Sequence, residues 1–280
     1  MRYARIWKWG AKMAVMVETH GALAEAARAL LGGGATYFGG GTVLMRGVNS
    51  GEVQGRLIRS TDSSLREIRL SGDTVHLGAG VTMAEILAHR DLGFLHAAAR
   101  SIGGPQVRNM ASVGGNLFAP HPYGDFAAAL LALGATVLVV GSGAPRSLED
   151  ILRDRAHSSP ILVASVEVIR PRDPRSFGYL KVSRVKPKGV SVMSLAVLLP
   201  REGGRIRAPR VAYGAMGPVP LRASAVERVL DGRSLDPETI AAAVRVAAEG
   251  IEPPTDPIAS SWYRREVVGV HLRRLLERLV

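Results

Sequence analysis

Cysteine is missing from all 280 residues. Its absence removes disulfide frameworks, thiolate zinc sites, cysteine nucleophiles and any iron–sulfur cluster held by this chain's own thiolates. Lysine is scarce, at five of the 36 basic residues, so arginine carries most of a formal net charge of +12. Such a charge admits a nucleic-acid or anionic-cofactor surface. It equally admits a solvated, arginine-rich surface shaped by genome composition or a hot habitat, which the scattered placement of the arginines favours. An acidic companion subunit would neutralise it.

A secretory leader is not legible. Met1 to Gly10 carries Arg2, Arg5 and Lys8 with no continuous apolar stretch after them, which points to the cytoplasm. The longest uncharged run, Phe126 to Pro145, is interrupted by Gly134, Gly141 and Gly143, and Ala135 to Val140 is rich in β-branched residues. A helix turning at Gly134 into a buried strand accounts for it better than a membrane span. No repeat of 20 to 50 residues exists, which excludes solenoids and arrays.

At 47% hydrophobic content the chain supplies a sizeable core, enough for two domains. Gly21 to Leu31 reads as a helix stopped by Gly32, and Ala35 to Phe38 as a short strand running into glycines. Arg56 to Arg59 is a second short strand; Leu65 to Leu70 and Thr74 to Ala79 read as paired strands turning at Gly72 and Asp73. Thr82 caps a helix over Met83 to His89, with Glu85 completing a capping box. Ala97 to Ile102 reads as helical, followed by a loop rich in Gly, Pro and Asn as far as Asn116. Helix Phe126 to Leu133 and strands Ala135 to Val140 and Ile161 to Ile169 complete the first unit.

The polar linker Pro171 to Pro174 marks a boundary near residue 175. Strands Phe177 to Val182, Val190 to Leu199 and Arg205 to Met216 follow, then helices Ala223 to Leu230, Pro237 to Glu249 and Ser260 to Val280. Strands first and helices afterwards predict an α+β unit with its helices on one face of an antiparallel sheet. Val268, Leu272, Leu275 and Leu279 form an apolar stripe suited to a core, or to a partner.

Two glycine-rich loops carry the chemical signal. In Phe38-Gly39-Gly40-Gly41-Thr42-Val43-Leu44 the glycines let backbone N–H groups approach phosphate oxygens, and Thr42 adds a hydroxyl; a plain tight turn competes with that reading. In Ser112-Val113-Gly114-Gly115-Asn116, side-chain donors flank two bare amides, and Asp125 nearby could hold ribose hydroxyls. Neither loop fits a Rossmann or P-loop spacing. The histidines show no paired-ligand spacing, so no metal site is expected, and His121 reads as a surface or supporting residue. Gly189 to Met193 lacks the last glycine of a nucleophile elbow. A phosphate-rich cofactor site without acid, base or nucleophile is what an electron carrier would show.

The two loops, in this order and about 70 residues apart, resemble the FAD-binding medium subunits of the xanthine dehydrogenase and carbon monoxide dehydrogenase family of molybdenum hydroxylases. Gly103 to Leu117 is similar to the family's run around its [ST]-[IV]-G-G-N loop, and Gly39 to Leu44 to its A-G-G-T-D-L-type loop. The resemblance covers nearly the whole chain. It implies an α+β architecture: a two-part FAD-binding domain of the vanillyl-alcohol oxidase type over 1–175 and a small antiparallel sheet-plus-helices domain over 176–280. It further implies that Tyr37 to Leu44 and Ser112 to Asn116 wrap the FAD pyrophosphate, that Ile102 contacts the cofactor and that Asp125 serves the ribose or adenosine side. Leu162 would pack on adenine, Lys181 would lie near the flavin, and Tyr179 would neighbour the isoalloxazine ring.

The partners implied are a [2Fe-2S] small subunit and a large subunit holding the molybdenum cofactor, which attacks substrate; no catalytic substrate residue is expected here. Val43 replaces a residue that is often polar or acidic in the family, and Lys188 falls about where relatives often carry an acid. The cysteine-bearing insert of some relatives is missing. Rival readings are a stand-alone flavin reductase of the same superfold, which would need its own proton donor, a flavin-less relic, and a basic nucleic-acid-binding module.

Overall fold

The computed structural model describes residues 15–155, 160–185 and 189–280. Lys188 and the Met1 to Gly10 start lie outside the described residues.

The chain begins with β1 (Val15–His20), α1 (Leu23–Leu31), β2 (Ala35–Tyr37), α2 (Leu44–Ser50) and β3 (Gly55–Ser60). The three strands form a parallel sheet in the order β1-β3-β2. Ala26 and Leu30, one helical turn apart on α1, bury against Ile58 of β3 and against Leu162. Neither β1 nor α2 was expected from sequence.

Next come β4 (Ile68–Ser71), β5 (Thr74–Gly78), α3 (Met83–Ala88), α4 (His96–Arg100), α5 (Pro105–Arg108), α6 (Val113–Phe118) and α7 (Asp125–Ala132). They are followed by β6 (Thr136–Val139), β7 (Arg146–Ser147), α8 (Leu148–Asp154) and β8 (Val163–Ile169). The strands build an antiparallel sheet, β4-β5-β8-β6-β7. The β4–β5 hairpin turns through Gly72 and Asp73, and the Thr82–Glu85 capping box opens α3, both as the sequence predicts. Leu65 falls in a 3-10 turn rather than in the strand expected for it, because its N–H is spent on Asp62 O within the turn and its carbonyl accepts from Gly80 N–H instead of joining a ladder. The stretch expected to be loop as far as Asn116 contains α5 and most of α6; Ser112 caps α6 through its hydroxyl despite the two glycines behind it.

The last part contains β9 (Phe177–Ser183), β10 (Ser191–Leu198), β11 (Arg201–Glu202), β12 (Arg205–Ile206), β13 (Arg210–Gly214), β14 (Leu221–Arg222), α9 (Ser224–Leu230), α10 (Pro237–Arg245) and α11 (Ser261–Leu276). The strand expected over Arg205 to Met216 is split, since Ala208 adopts a left-handed φ of 47° between β12 and β13. The antiparallel order is β14-β13-β10-β9.

One face of this sheet, through Met193, Leu195, Val197 and Tyr213, packs on α9, α10 and α11, and Val268, Leu272, Leu275 and Leu279 are spent in that core. The other face is covered too. Ala196 and Ala212 join the core of the earlier residues, and α7 lies against β10 and β13. Every residue of α7 is buried, which its small, alanine-rich surface permits. Burial on both faces explains why β10 reads as a near-continuous apolar run.

Candidate functional site

A cleft of about 1220 Å³ opens where the parallel sheet, the five-stranded sheet and the start of the third sheet meet. Drug-sized ligands occupy pockets of roughly 300–1,000 Å³, so this one has room for a dinucleotide.

The first glycine loop leaves the carboxyl end of β2 and forms one wall. Phe38 N–H still continues the ladder, donating to Ile58 O at 2.7 Å. Beyond it, the N–H groups of Gly39, Gly40, Gly41 and Thr42 make no hydrogen bond among the described residues. Consecutive unpaired amides without Cβ atoms around them are an anion cradle. Gly41 sits at φ 71°, and a Cβ there would stand 2.3 Å from the Phe38 ring. Val43 lines the cleft and gives α2 no side-chain cap.

The second loop departs from expectation. Its amides are not bare: Val113 N–H donates to Val81 O and Gly114 N–H to Ala79 O, both at 2.8 Å, and Gly115 N–H to Ser112 Oγ at 3.2 Å. Asn116 turns its side-chain amide back onto Ser112 O at 2.9 Å. Two forces consume these groups, the start of a helix and the packing of α6 on the five-stranded sheet. What this segment contributes is a surface, with Met110 against the first loop and Ser112, Gly114, Gly115 and Asn116 in the cleft wall.

Of the other expected residues, Tyr37, Phe38, Leu44, Ile102, Leu162, Asp125 and Lys181 line the cleft. Val113 and Tyr179 do not. Val113 is fully buried in the core, and Tyr179 lies behind the wall with its hydroxyl 3.0 Å from Ser101 Oγ. Burial, and then the charge of Asp125, push the Tyr179 phenol well above its ordinary range.

Asp125 and Lys181 form one ion pair, Oδ2 to Nζ 2.8 Å, with little solvent access for either. Ribose-side and flavin-side roles were expected for these two residues; their contact puts both at one point of the wall.

Sequence reasoning missed several cleft residues. Arg46 on α2 donates to the Tyr123 hydroxyl at 2.7 Å and stacks over its ring, joining two parts of the wall. Arg155, at the end of α8, donates to Leu117 O at 2.7 Å and has no carboxylate partner; burial lowers its pKa. Six cations, Arg46, Arg59, Arg66, Arg146, Arg155 and Lys181, face four carboxylates, Glu52, Asp62, Asp125 and Asp154, around the cleft. No sequence motif marks these arginines. Free amides, spare positive charge and an apolar flank at Leu162 suit a dinucleotide carrying a pyrophosphate. His121 lies outside the wall, its Nε2 2.6 Å from Asp256 Oδ2.

The profile of the FAD-binding domain in molybdopterin dehydrogenase matches residues 13–158, and that of the CO dehydrogenase flavoprotein C-terminal domain matches 178–279. The glyceraldehyde dehydrogenase medium chain of Sulfolobus acidocaldarius is 29% identical, with 74% of this chain and 76% of that one aligned. The nicotine 6-hydroxylase medium subunit of Paenarthrobacter nicotinovorans is 31% identical over 73% of this chain and 75% of its own. Among solved structures, carbon monoxide dehydrogenase from Hydrogenophaga pseudoflava superposes with a TM-score of 0.85 at 26% identity, covering 94% of this chain and 96% of that chain. The molecule is thus an FAD-binding oxidoreductase component. It belongs to the family of medium, flavoprotein subunits of molybdenum hydroxylases of the xanthine and carbon monoxide dehydrogenase type. Among the described residues no helix is long and apolar enough to cross a membrane.

Proposed function

We propose that this chain holds FAD in the cleft and relays electrons from a [2Fe-2S] small subunit, reduced by a molybdenum-cofactor large subunit, to an external acceptor. The observation that carries the reading is the run of amides from Gly39 to Thr42, unpaired among the described residues, in a cationic cleft large enough for a dinucleotide. In this arrangement the amides bind the pyrophosphate, Leu162 packs on adenine, and Ile102 and Lys181 border the flavin. Bound FAD supplies two-electron and one-electron chemistry; the protein supplies binding, orientation and electrostatics. A two-part FAD-binding domain of the vanillyl-alcohol oxidase type over 1–175 and a smaller domain over 176–280 belong to the same reading. They are supported by the parallel sheet set beside an antiparallel one and by the separate family matches. Assembly with the two partners is supported by relatives named as medium chains of dehydrogenases.

The test is to dialyse the purified chain with FAD, remove the excess and record the visible spectrum. The expected result is about one retained flavin per chain, reducible by a [2Fe-2S] partner. A protein that stays colourless in the presence of both partners would refute the assignment and leave a flavin-less relic as the better account.

A further inference from the structure

The Asp125–Lys181 pair is assembled by four elements. Lys181 projects from β9, and its ammonium donates to Ser101 O, at the end of α4, at 3.0 Å and to Asp125 Oδ2 at 2.8 Å. Asp125 is the first residue of α7, and its Oδ1 accepts from Ser191 Oγ of β10 at 2.6 Å. Both carboxylate oxygens are therefore engaged by the protein, and the residue is only 4% exposed. An ammonium has three N–H donors. Two of those on Lys181 are used, and the side chain lines the cleft.

Leu162 packs with Ala26, Leu30 and Ile58 in the cluster beside the parallel sheet, whereas the pair is held by α4, α7, β9 and β10. Resting on the FAD reading above, in which Lys181 borders the flavin, the pair belongs to the flavin half of the site. We propose that Asp125 is a positioning residue for the flavin half: it fixes and neutralises the Lys181 ammonium, which offers its remaining N–H to the flavin, and it does not bind ribose. The charge balance follows directly. With Asp125 present the flavin meets a neutral pair; without it, the flavin meets a bare cation that stabilises its anionic reduced form.

Three single variants, Asp125→Asn, Lys181→Met and Ser191→Ala, together with wild type, are titrated calorimetrically with FAD and with ADP, and the reduction potential of bound flavin is measured. Asp125→Asn and Lys181→Met are expected to weaken FAD about tenfold or more, the scale of a lost charged hydrogen bond, while ADP binding stays within about twofold. The potentials should move in opposite directions, up for Asp125→Asn and down for Lys181→Met, which loss of packing alone would not produce. Ser191→Ala removes one hydrogen bond to Asp125 and keeps the test alive if either charge variant misfolds; it should weaken FAD severalfold and spare ADP. Loss of ADP affinity in step with FAD, or potentials shifting the same way, would overturn the proposal in favour of a ribose ligand. Wild type binding neither FAD nor ADP would instead overturn the FAD reading on which it rests.

Discussion

Gly40 presses its Cα against the Met110 carbonyl so closely that a Cβ there would lie 1.7 Å from the oxygen and 2.6 Å from the carbon. The two glycine-rich loops thus meet backbone to backbone, with Gly40 as the contact. Backbone atoms cannot swing aside as a flexible side chain can, so Gly40→Ala forces the loops apart. It is expected to lower stability by about 2 kcal/mol, in the range of an overpacked site, and to abolish retained flavin. Gly39→Ala is the control. Its Cβ would meet Ser112 Oγ at an ordinary 3.4 Å. That variant should melt within about 1 kcal/mol of wild type while still weakening FAD, because the methyl group intrudes where the phosphate approaches the free amides. Equal losses of stability in the two variants would show that Gly40 serves the ligand alone.

Arg155 poses a different question, because a half-buried cation normally has a counter-ion. Every aspartate and glutamate of the chain lies within the described residues, and none pairs with Arg155. The missing charge is expected from an anionic ligand. Arg155→Gln should therefore change thermal stability by less than about 1 kcal/mol yet weaken ADP severalfold at low salt, with the difference shrinking as ionic strength rises. An unchanged ADP titration would mean that the arginine only ties α8 to the Leu117 carbonyl.

Tyr179 separates structural from cofactor roles at the flavin end. Its hydroxyl donates to Ser101 Oγ, whose own hydrogen goes to Ala98 O at 2.7 Å. Tyr179→Phe is expected to cost about 1 kcal/mol, the value of one buried hydrogen bond, and to leave FAD affinity within about twofold. A large loss of affinity at unchanged melting temperature would place the ring against the flavin after all.

Local rules made much of this fold legible. The Thr82 and Glu85 pair predicts α3 because the reciprocal cap needs only residues three apart, and Gly72-Asp73 predicts the β4–β5 turn for the same reason. The elements that escaped lack such signals. None of the residues of α2 is buried, so no periodic stripe announces it, and β1 is half-exposed along its length. At the site, the residues of both glycine loops were identifiable, but the availability of their amides was not. Whether Gly114 N–H is free depends on Ala79, which arrives from another part of the chain. The Asp125–Lys181 contact is hidden for a similar reason, since α7 meets β9 only once both faces of the third sheet are covered.

Arg264 was invisible as well, being an arginine at the start of a polar-looking helix that proves fully buried. It donates to the carbonyls of Val192 and Ala215 and to Asp256 Oδ2, the last at 2.7 Å. Asp256 in turn accepts from His121 and from the amides of Ile258 and Ala259. Burial alone would raise the Asp256 pKa, but the hydrogen bonds from His121, Ala259 and Ile258 and the Arg264 charge outweigh it and hold the group at about 2, against 3.8 when unperturbed. A carboxylate depressed on folding stabilises the folded state above its unfolded pKa, and that contribution is lost as the pH falls. Here the loss spans 3.8 down to about 2. Asp256→Asn leaves the guanidinium buried without its counter-charge and is expected to cost about 3 kcal/mol at neutral pH. The gap in stability between wild type and variant, followed by chemical denaturation from neutral pH downward, should narrow below about pH 4, where the wild-type carboxylate begins to lose its advantage. A gap that stays constant down to pH 2 would show that the loss comes from the shape of the Asp256 turn rather than from its charge.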